Sequence, residues 1–340
     1  MLCDRHNRVI SYLRISVTDR CNFRCVYCMP AEGVELRPRD EILTFEEIAR
    51  VARAGARLGL SKIRLTGGEP TVRRDLPHLV AMLSAIEGIE EIAMTTNAAR
   101  LGEWAGPLKA AGLGRVNISL DTLRRDRMRE IARRDYYDAV LAGIDAALAA
   151  GLTPLKFNAV VMRGVNDDEL GDLLAFAHSK GGEMRFIEYM PMGLARFDEH
   201  NKLVPAAEMH ERLSERFDLA PAPSSFPPSQ GGTKGGSDPA RGWVCRRTGA
   251  RVGFITSMSE HFCDTCNRMR LTAEGGLRPC LHQNAEVGVR EMLRSGASDA
   301  HIEAALMDAF REAANLKWAG HHMNDAIPLF SAREMVSIGG

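Results

Sequence analysis

Residues 13–30 read "LRISVTDRCNFRCVYCMP", a short strand-like run followed by three cysteines, Cys21, Cys25 and Cys28, spaced C-x3-C-x2-C. A structural zinc site wants four ligands and a disulfide framework wants an even number, so three closely spaced thiols right after a strand pose a question. The runs that follow set the scaffold around it. "KIRLT" (62–66), "EIAMT" (91–95), "RVNIS" (115–119), "LKFNAVV" (155–161) and "EMRFIE" (183–188) read as further strands, each separated by a helical stretch. Thr44 opens the first helix, with Glu47 three residues on to complete a capping box and Gly59 to end it. Strands alternating with helices imply right-handed crossovers and a parallel sheet. The motifs sit just after strand C-terminal ends, which favours an α/β fold of the incomplete (β/α)6 TIM type over a flat doubly wound sheet.

Composition narrows the function classes. Lys+Arg and Asp+Glu balance at 44 each, so no global field recruits nucleic acid or an anionic membrane. No run approaches the roughly 18 apolar residues of a membrane helix, and the charged N-terminus lacks the apolar core of a signal peptide. A cytoplasmic protein is expected, in which clustered cysteines are metal-binding or catalytic rather than bridged. Residues 221–241, rich in Pro, Gly and Ser, read as a flexible linker or insertion. This divides the chain into a barrel over 1–220 and an α+β extension over 242–340, whose longest helix runs from Ser298 to about Asn315.

The extension carries a second cysteine triplet, Cys263, Cys266 and Cys280, while Cys3 and Cys245 stand alone and read as incidental. A zinc ribbon completed by His261 or His282 is one reading of that triplet. The first triplet has no nearby histidine or fourth cysteine. Three thiolates there suit a 4Fe–4S cluster whose fourth iron has no protein ligand and is open to a small molecule. His321 and His322, late in the chain, read as packing or surface residues.

C-x3-C-x2-C with Tyr27 before the last cysteine resembles the signature of the radical S-adenosylmethionine superfamily, and "LTGGEP" (65–70) stands where that superfamily has its Gly-Gly-Glu loop. Within it, "KIRLTGGEPTVRRDL", "MTTNAARL", "RVNISLDTL", "PLKFNAVVMRGVND", "RFIEYMPMG", "FCDTCNRMRLTAEGGLRPCL" and the terminal Gly339-Gly340 resemble the GTP 3′,8-cyclases of molybdenum cofactor biosynthesis, in that family's order. Two departures are Ala98, where glycine is more usual, and the 221–241 stretch.

The resemblance implies two 4Fe–4S clusters, one on Cys21, Cys25 and Cys28, the other on Cys263, Cys266 and Cys280. It implies S-adenosylmethionine contacts at Tyr27, Gly68, Ser119 and Met190, although Ser119 could equally cap a helix. It implies GTP contacts at Arg14, Arg64, Thr95, Lys156, Arg268, Met269 and Arg270, with Arg185 close by; Arg14, Arg185, Arg268 and Arg270 are the candidate catalytic residues. Bidentate arginines suit a triphosphate, and Lys156 inside a strand needs a partner for its charge. Implied partners are an electron donor such as flavodoxin or ferredoxin and the next enzyme, cyclic pyranopterin monophosphate synthase; the chain is expected as monomer or homodimer.

Overall fold

The computed structural model describes residues 1–192, 202–222, 239–323 and 333–339. Chain order is β1 (Tyr12–Ser16), α1 (Phe45–Arg57), β2 (Lys62–Thr66), α2 (Leu76–Ser84), β3 (Glu91–Thr96), α3 (Leu101–Ala110) and β4 (Arg115–Ser119). Then come α4 (Arg125–Ile131), α5 (Tyr137–Ala149), β5 (Lys156–Val161), α6 (Leu170–Ser179), β6 (Glu183–Glu188) and α7 (Ala206–Ser214). The remainder is β7 (Leu219–Pro221), β8 (Ala240–Cys245), β9 (Arg251–Ile255), β10 (Arg268–Leu271), β11 (Gly276–Arg278), β12 (Val287–Gly288), α8 (Arg290–Leu293) and α9 (Asp299–Asn315). Most of the expected 221–241 linker, residues 223–238, lies outside the described residues.

Strands β1 to β6 are neighbours in sequence order, without the central reversal of a doubly wound sheet. The six expected units are joined by two parallel strands from the C-terminal extension: β10 pairs with β1 and β9 with β6. Antiparallel strands then cover both edges, and among the described residues β12 and β7 are the unjoined ends of an open barrel.

Register decides which side chains share a face. Leu13 lies beside Met269 and Ile63, and Ile63 beside Ile92, so one face is apolar and packs under the helices. The other face is polar. Arg14 lies beside Arg270 and Arg64, Thr95 beside Asn117, Asn117 beside Lys156, and Asn158 beside Arg185. Strict alternation therefore sorts an apolar outer layer from a polar barrel lining.

The helices form for legible reasons. Thr44 Oγ1 accepts from Glu47 N–H (3.2 Å) while Glu47 Oε2 accepts from Thr44 N–H (2.8 Å), completing the capping box. Ile48, Val51 and Ala52 of α1 are buried at helical spacing. Helix α9, capped by Ser298, packs on α1, and Arg50–Asp299 (2.6 Å) bridges the pair at the surface.

Candidate active site

The first cysteine loop leaves the C-terminal end of β1 and turns beneath the loop that follows β2. Gly68 N–H donates to Thr18 O (2.8 Å) and Glu69 N–H to Arg20 O (2.8 Å). A Cβ on Gly68 would sit 2.2 Å from Arg20 O, so any side chain there pushes the two loops apart. The close approach that Gly68 permits is thus first to the cysteine loop itself. Glu69, buried, accepts from Thr71 N–H (3.1 Å), Thr96 Oγ1 (2.7 Å) and Asn97 N–H (2.7 Å), tying the loops after β2 and β3 together.

Cys21, Cys25, Cys28, Tyr27, Gly68 and Ser119 line one cavity, with Thr95 and Asp121. Ser119 ends β4, and α4 starts only at Arg125, so Ser119 is not a helix cap. Met190, half-buried just past β6, is not among the lining residues. Tyr27 donates to Asp121 Oδ2 (2.8 Å), and Val160 N–H donates to Oδ1 (2.9 Å). Burial pushes the Asp121 carboxyl up to about 6 against both hydrogen bonds. Burial, with the Glu69 carboxylate adding to it, pushes the Cys21 thiol up to about 12; Cys25 and Cys28 move the same way, chiefly through burial. Three half-buried thiols flanked by carboxylates favour the protonated form until a metal supplies positive charge, which is the donor set a thiolate-bound iron–sulfur cluster fits.

Beside this cavity the barrel lining becomes strongly cationic. Arg270, Arg14 and Arg64 stand side by side on β10, β1 and β2, about 4.8 Å from strand to strand. Arg64 donates to the Tyr12 hydroxyl and to Thr95 Oγ1 (3.3 Å), placing Thr95 between the cavity and the arginines. Burial, then repulsion from Arg270, holds the Arg14 guanidinium well below its ordinary range. Burial, with the Arg268 charge adding, brings Arg270 down to about 10. Like charges this close ask for an anion. Further round, Lys156 and Arg185 share Glu183, at 3.6 Å and 2.6 Å, which partners the charge that Lys156 carries into its strand.

The Met269 side chain is fully buried on the apolar face, opposite Arg268 and Arg270, so only its backbone can face the barrel lining.

The second triplet is differently charged. Cys263 opens a short 3-10 turn through Thr265, and Cys266 precedes β10. Burial alone would raise the Cys266 thiol, yet the Arg268 and Lys317 charges outweigh it and bring it down to about 6. Arg268 also lies over the Phe262 ring at 4.8 Å. Cys263 is raised by burial, against a hydrogen bond from the His321 backbone. His321 packs edge-on between His261 (5.2 Å) and His282 (5.4 Å). Among the described residues no three His, Cys, Asp or Glu side chains are gathered as ligands of a single metal ion. A stabilised thiolate beside two more cysteines fits a cluster here as well.

The C-terminal segment joins the two regions. The Val336 backbone hydrogen-bonds to Cys28, Met335 and Val336 line the first cavity, and Gly339 O accepts from Arg270. Gly339 has φ +69, and a Cβ there would meet Thr66 Oγ1 at 2.6 Å. Gly340 lies outside the described residues. Of the lone cysteines, Cys3 is exposed and Cys245 is in the core.

Glu69, Asp121 and Lys317 are site residues that motif reading did not single out. Glu69 lay within a quoted motif, and Asp121 follows Ser119 by two; for Lys317 the signal was only its rarity, as one of seven lysines.

The radical SAM superfamily model matches residues 15–177, and the Molybdenum Cofactor Synthesis C model matches 182–323. A curated GTP 3′,8-cyclase of Moorella thermoacetica is 49% identical over 339 residues, covering 99% of each chain. The mitochondrial GTP 3′,8-cyclase of Arabidopsis thaliana is 41% identical, covering 100% of this chain and 84% of that one. A crystal structure of Streptococcus suis SuiB bound to S-adenosylmethionine shares the fold, with TM-score 0.61 at 15% identity over 98% of this chain and 79% of that one. The cysteine loop, the barrel that carries it and full-length identity of this order lead to one conclusion: the chain belongs to the GTP 3′,8-cyclase family of radical S-adenosylmethionine enzymes.

Proposed function

We propose that this enzyme converts GTP to (8S)-3′,8-cyclo-7,8-dihydroguanosine 5′-triphosphate, joining ribose C3′ to guanine C8, as the first step of molybdenum cofactor biosynthesis. The observation that carries the reading is the row Arg270–Arg14–Arg64, a polyanion site reached by the same C-terminal segment that touches Cys28. When bound, the two clusters would supply single electrons, and S-adenosylmethionine on the first would supply the radical chemistry needed to activate ribose C3′.

Cys21, Cys25 and Cys28 hold the first cluster in this reading, and Tyr27, Gly68, Ser119 and Met190 surround S-adenosylmethionine. Tyr27 is held in place by Asp121. Arg14, Arg64, Arg268 and Arg270 grip the triphosphate bidentately, while Thr95, Lys156 and the Met269 backbone complete the GTP site, with Arg185 held near by Glu183. Cys263, Cys266 and Cys280 hold the second cluster, against which the guanine base is oriented. The buried lining excludes water and thiols from the radical. The enzyme takes electrons from a flavodoxin or ferredoxin in the cytoplasm and delivers product to cyclic pyranopterin monophosphate synthase, working as a monomer or homodimer. None of the eight cysteines is joined in a disulfide, which suits a reducing compartment.

The test is anaerobic incubation of the reconstituted enzyme with GTP and S-adenosylmethionine, with ATP as a parallel substrate. A GTP-dependent product of unchanged nucleotide mass, formed with 5′-deoxyadenosine and absent with ATP, is expected. Reductive cleavage with no GTP-derived product contradicts the reading.

A further inference from the structure

Lys317 lies two residues beyond α9, and its side chain is almost entirely buried, the residue being 3% exposed. Its Nζ donates to Arg268 O (2.9 Å) and to Pro279 O (2.6 Å). Arg268 is two residues after Cys266, and Pro279 immediately precedes Cys280. One ammonium therefore spans both segments that present the second triplet, the loop that runs into β10 and the loop after β11. The loop of Cys263 and Cys266 is tied to the same segment a second time by Arg8, which donates to Cys263 O (2.7 Å), Trp318 O (2.5 Å) and Ala319 O (2.9 Å). Gln283 fastens the segment further, through Leu316 O (2.8 Å) and Trp318 N–H (3.2 Å).

The charge balance is unusual. Arg8 has Asp4 as a buried carboxylate partner at 2.6 Å. Among the described residues, the partners of Lys317 are carbonyl oxygens and no carboxylate. A buried ammonium held only by dipoles is costly unless an anion lies close. The thiols of Cys266 and Cys280 sit on the segments this ammonium holds.

We propose that Lys317 is the positioning residue and counter-charge of the second iron–sulfur cluster, fixing the Cys266 and Cys280 loops and raising that cluster's reduction potential. The inference rests on assigning Cys263, Cys266 and Cys280 to a cluster. Three thiolates around iron and sulfide leave net negative charge, and a buried cation beside it stabilises the reduced form further. An electron at higher potential is less able to cleave S-adenosylmethionine, so Lys317 keeps the second cluster from doing the work of the first.

The experiment uses the full chain, reconstituted anaerobically, as parent, Lys317→Met and Lys317→Arg. Iron per chain and the midpoint of each cluster are read in a redox titration followed by electron paramagnetic resonance. The first cluster serves as an internal reference. Lys317→Met is expected to lower the second midpoint, or to lose only that cluster's iron, about four of about eight per chain. Lys317→Arg is expected to bring both towards the parent values. Full iron with an unshifted second midpoint in Lys317→Met overturns the inference. Loss of both clusters in Lys317→Met also overturns it, showing a general folding role. Equal defects in both variants overturn it too, because the retained charge would then count for nothing. A parent enzyme with only about four irons refutes the cluster assignment, and this inference with it.

Discussion

The two cysteine triplets have the same number of thiols and opposite electrostatics. Around the first, burial above all drives Cys21 up to about 12, and the carboxylates Glu69, Asp121 and Glu334 raise the thiols further, with Arg24 opposing at Cys21. Around the second, Arg268 and Lys317 draw Cys266 down to about 6 despite burial. The difference follows from where each loop sits. The first hangs off β1 into a cavity closed by neutral glycines, Tyr27 and buried carboxylates, whereas the second abuts the arginine-bearing strand β10. An anionic setting destabilises added electron density and lowers potential; a cationic one does the reverse. On the proposed function, two sites with equal thiol counts are thereby suited to different tasks, strong reduction at the first and substrate orientation with electron return at the second.

The largest effects should come from breaking each site in turn. Cys25→Ser is expected to abolish 5′-deoxyadenosine formation, while Cys266→Ser keeps uncoupled cleavage and loses cyclised product. Normal cyclisation by Cys266→Ser protein would remove the second triplet from the chemistry. Next, Arg270→Ala should cost about 1.5–3 kcal/mol of GTP interaction, or roughly tenfold to a hundredfold in kcat/KM for GTP. Binding of S-adenosylmethionine, followed by calorimetry, should stay near parental. A chain ending at Ile338 should behave similarly, since it lacks the Gly339 carbonyl that Arg270 grips, yet it should retain both clusters by iron analysis.

A subtler test titrates the metal-free chain by its thiolate ultraviolet absorbance. The parent minus Cys266→Ser difference should show a step near pH 6, and parent minus Cys21→Ser none until strongly alkaline pH. The signs follow from the ordinary thiol value of 9.0. Depressed Cys266 contributes stability that is full above that value and lost as pH falls through about 6. Raised Cys21 contributes stability that is full below the ordinary value and lost as pH rises through about 12. Coincident steps would erase the contrast between the sites. The smallest effect concerns Ala98, which is fully buried with φ +64. Relief of about 1 kcal/mol in Ala98→Gly is offset by a similar entropic cost, so urea unfolding should move by no more than about 0.5 kcal/mol.

Local chemistry made the barrel legible. Period-2 runs gave β1 to β6 nearly to the residue, and Thr44 with Glu47 marked α1 because that cap is built from neighbours in sequence. The parallel pairings β10 with β1 and β9 with β6 have no local signal; in the first case the register is set across 256 residues of chain, from Tyr12 to Arg268. The cysteines were legible because their spacing is the chemistry. The alternation Arg268–Met269–Arg270 already places the Met269 side chain on the far face and leaves its backbone to the lining. Glu69, Asp121 and Lys317 earn their roles from burial and distant partners, which single residues do not announce.

The most direct measurement supplies GTP deuterated at C3′ to parent and Cys266→Ser enzyme and weighs both products. The parent should place deuterium in 5′-deoxyadenosine and release one cyclised nucleotide for each deuterated 5′-deoxyadenosine formed. The Cys266→Ser variant should form 5′-deoxyadenosine without deuterium and no cyclised nucleotide. Unlabelled 5′-deoxyadenosine from the parent, or deuterium transfer undiminished in Cys266→Ser, would contradict the division of labour between the two sites.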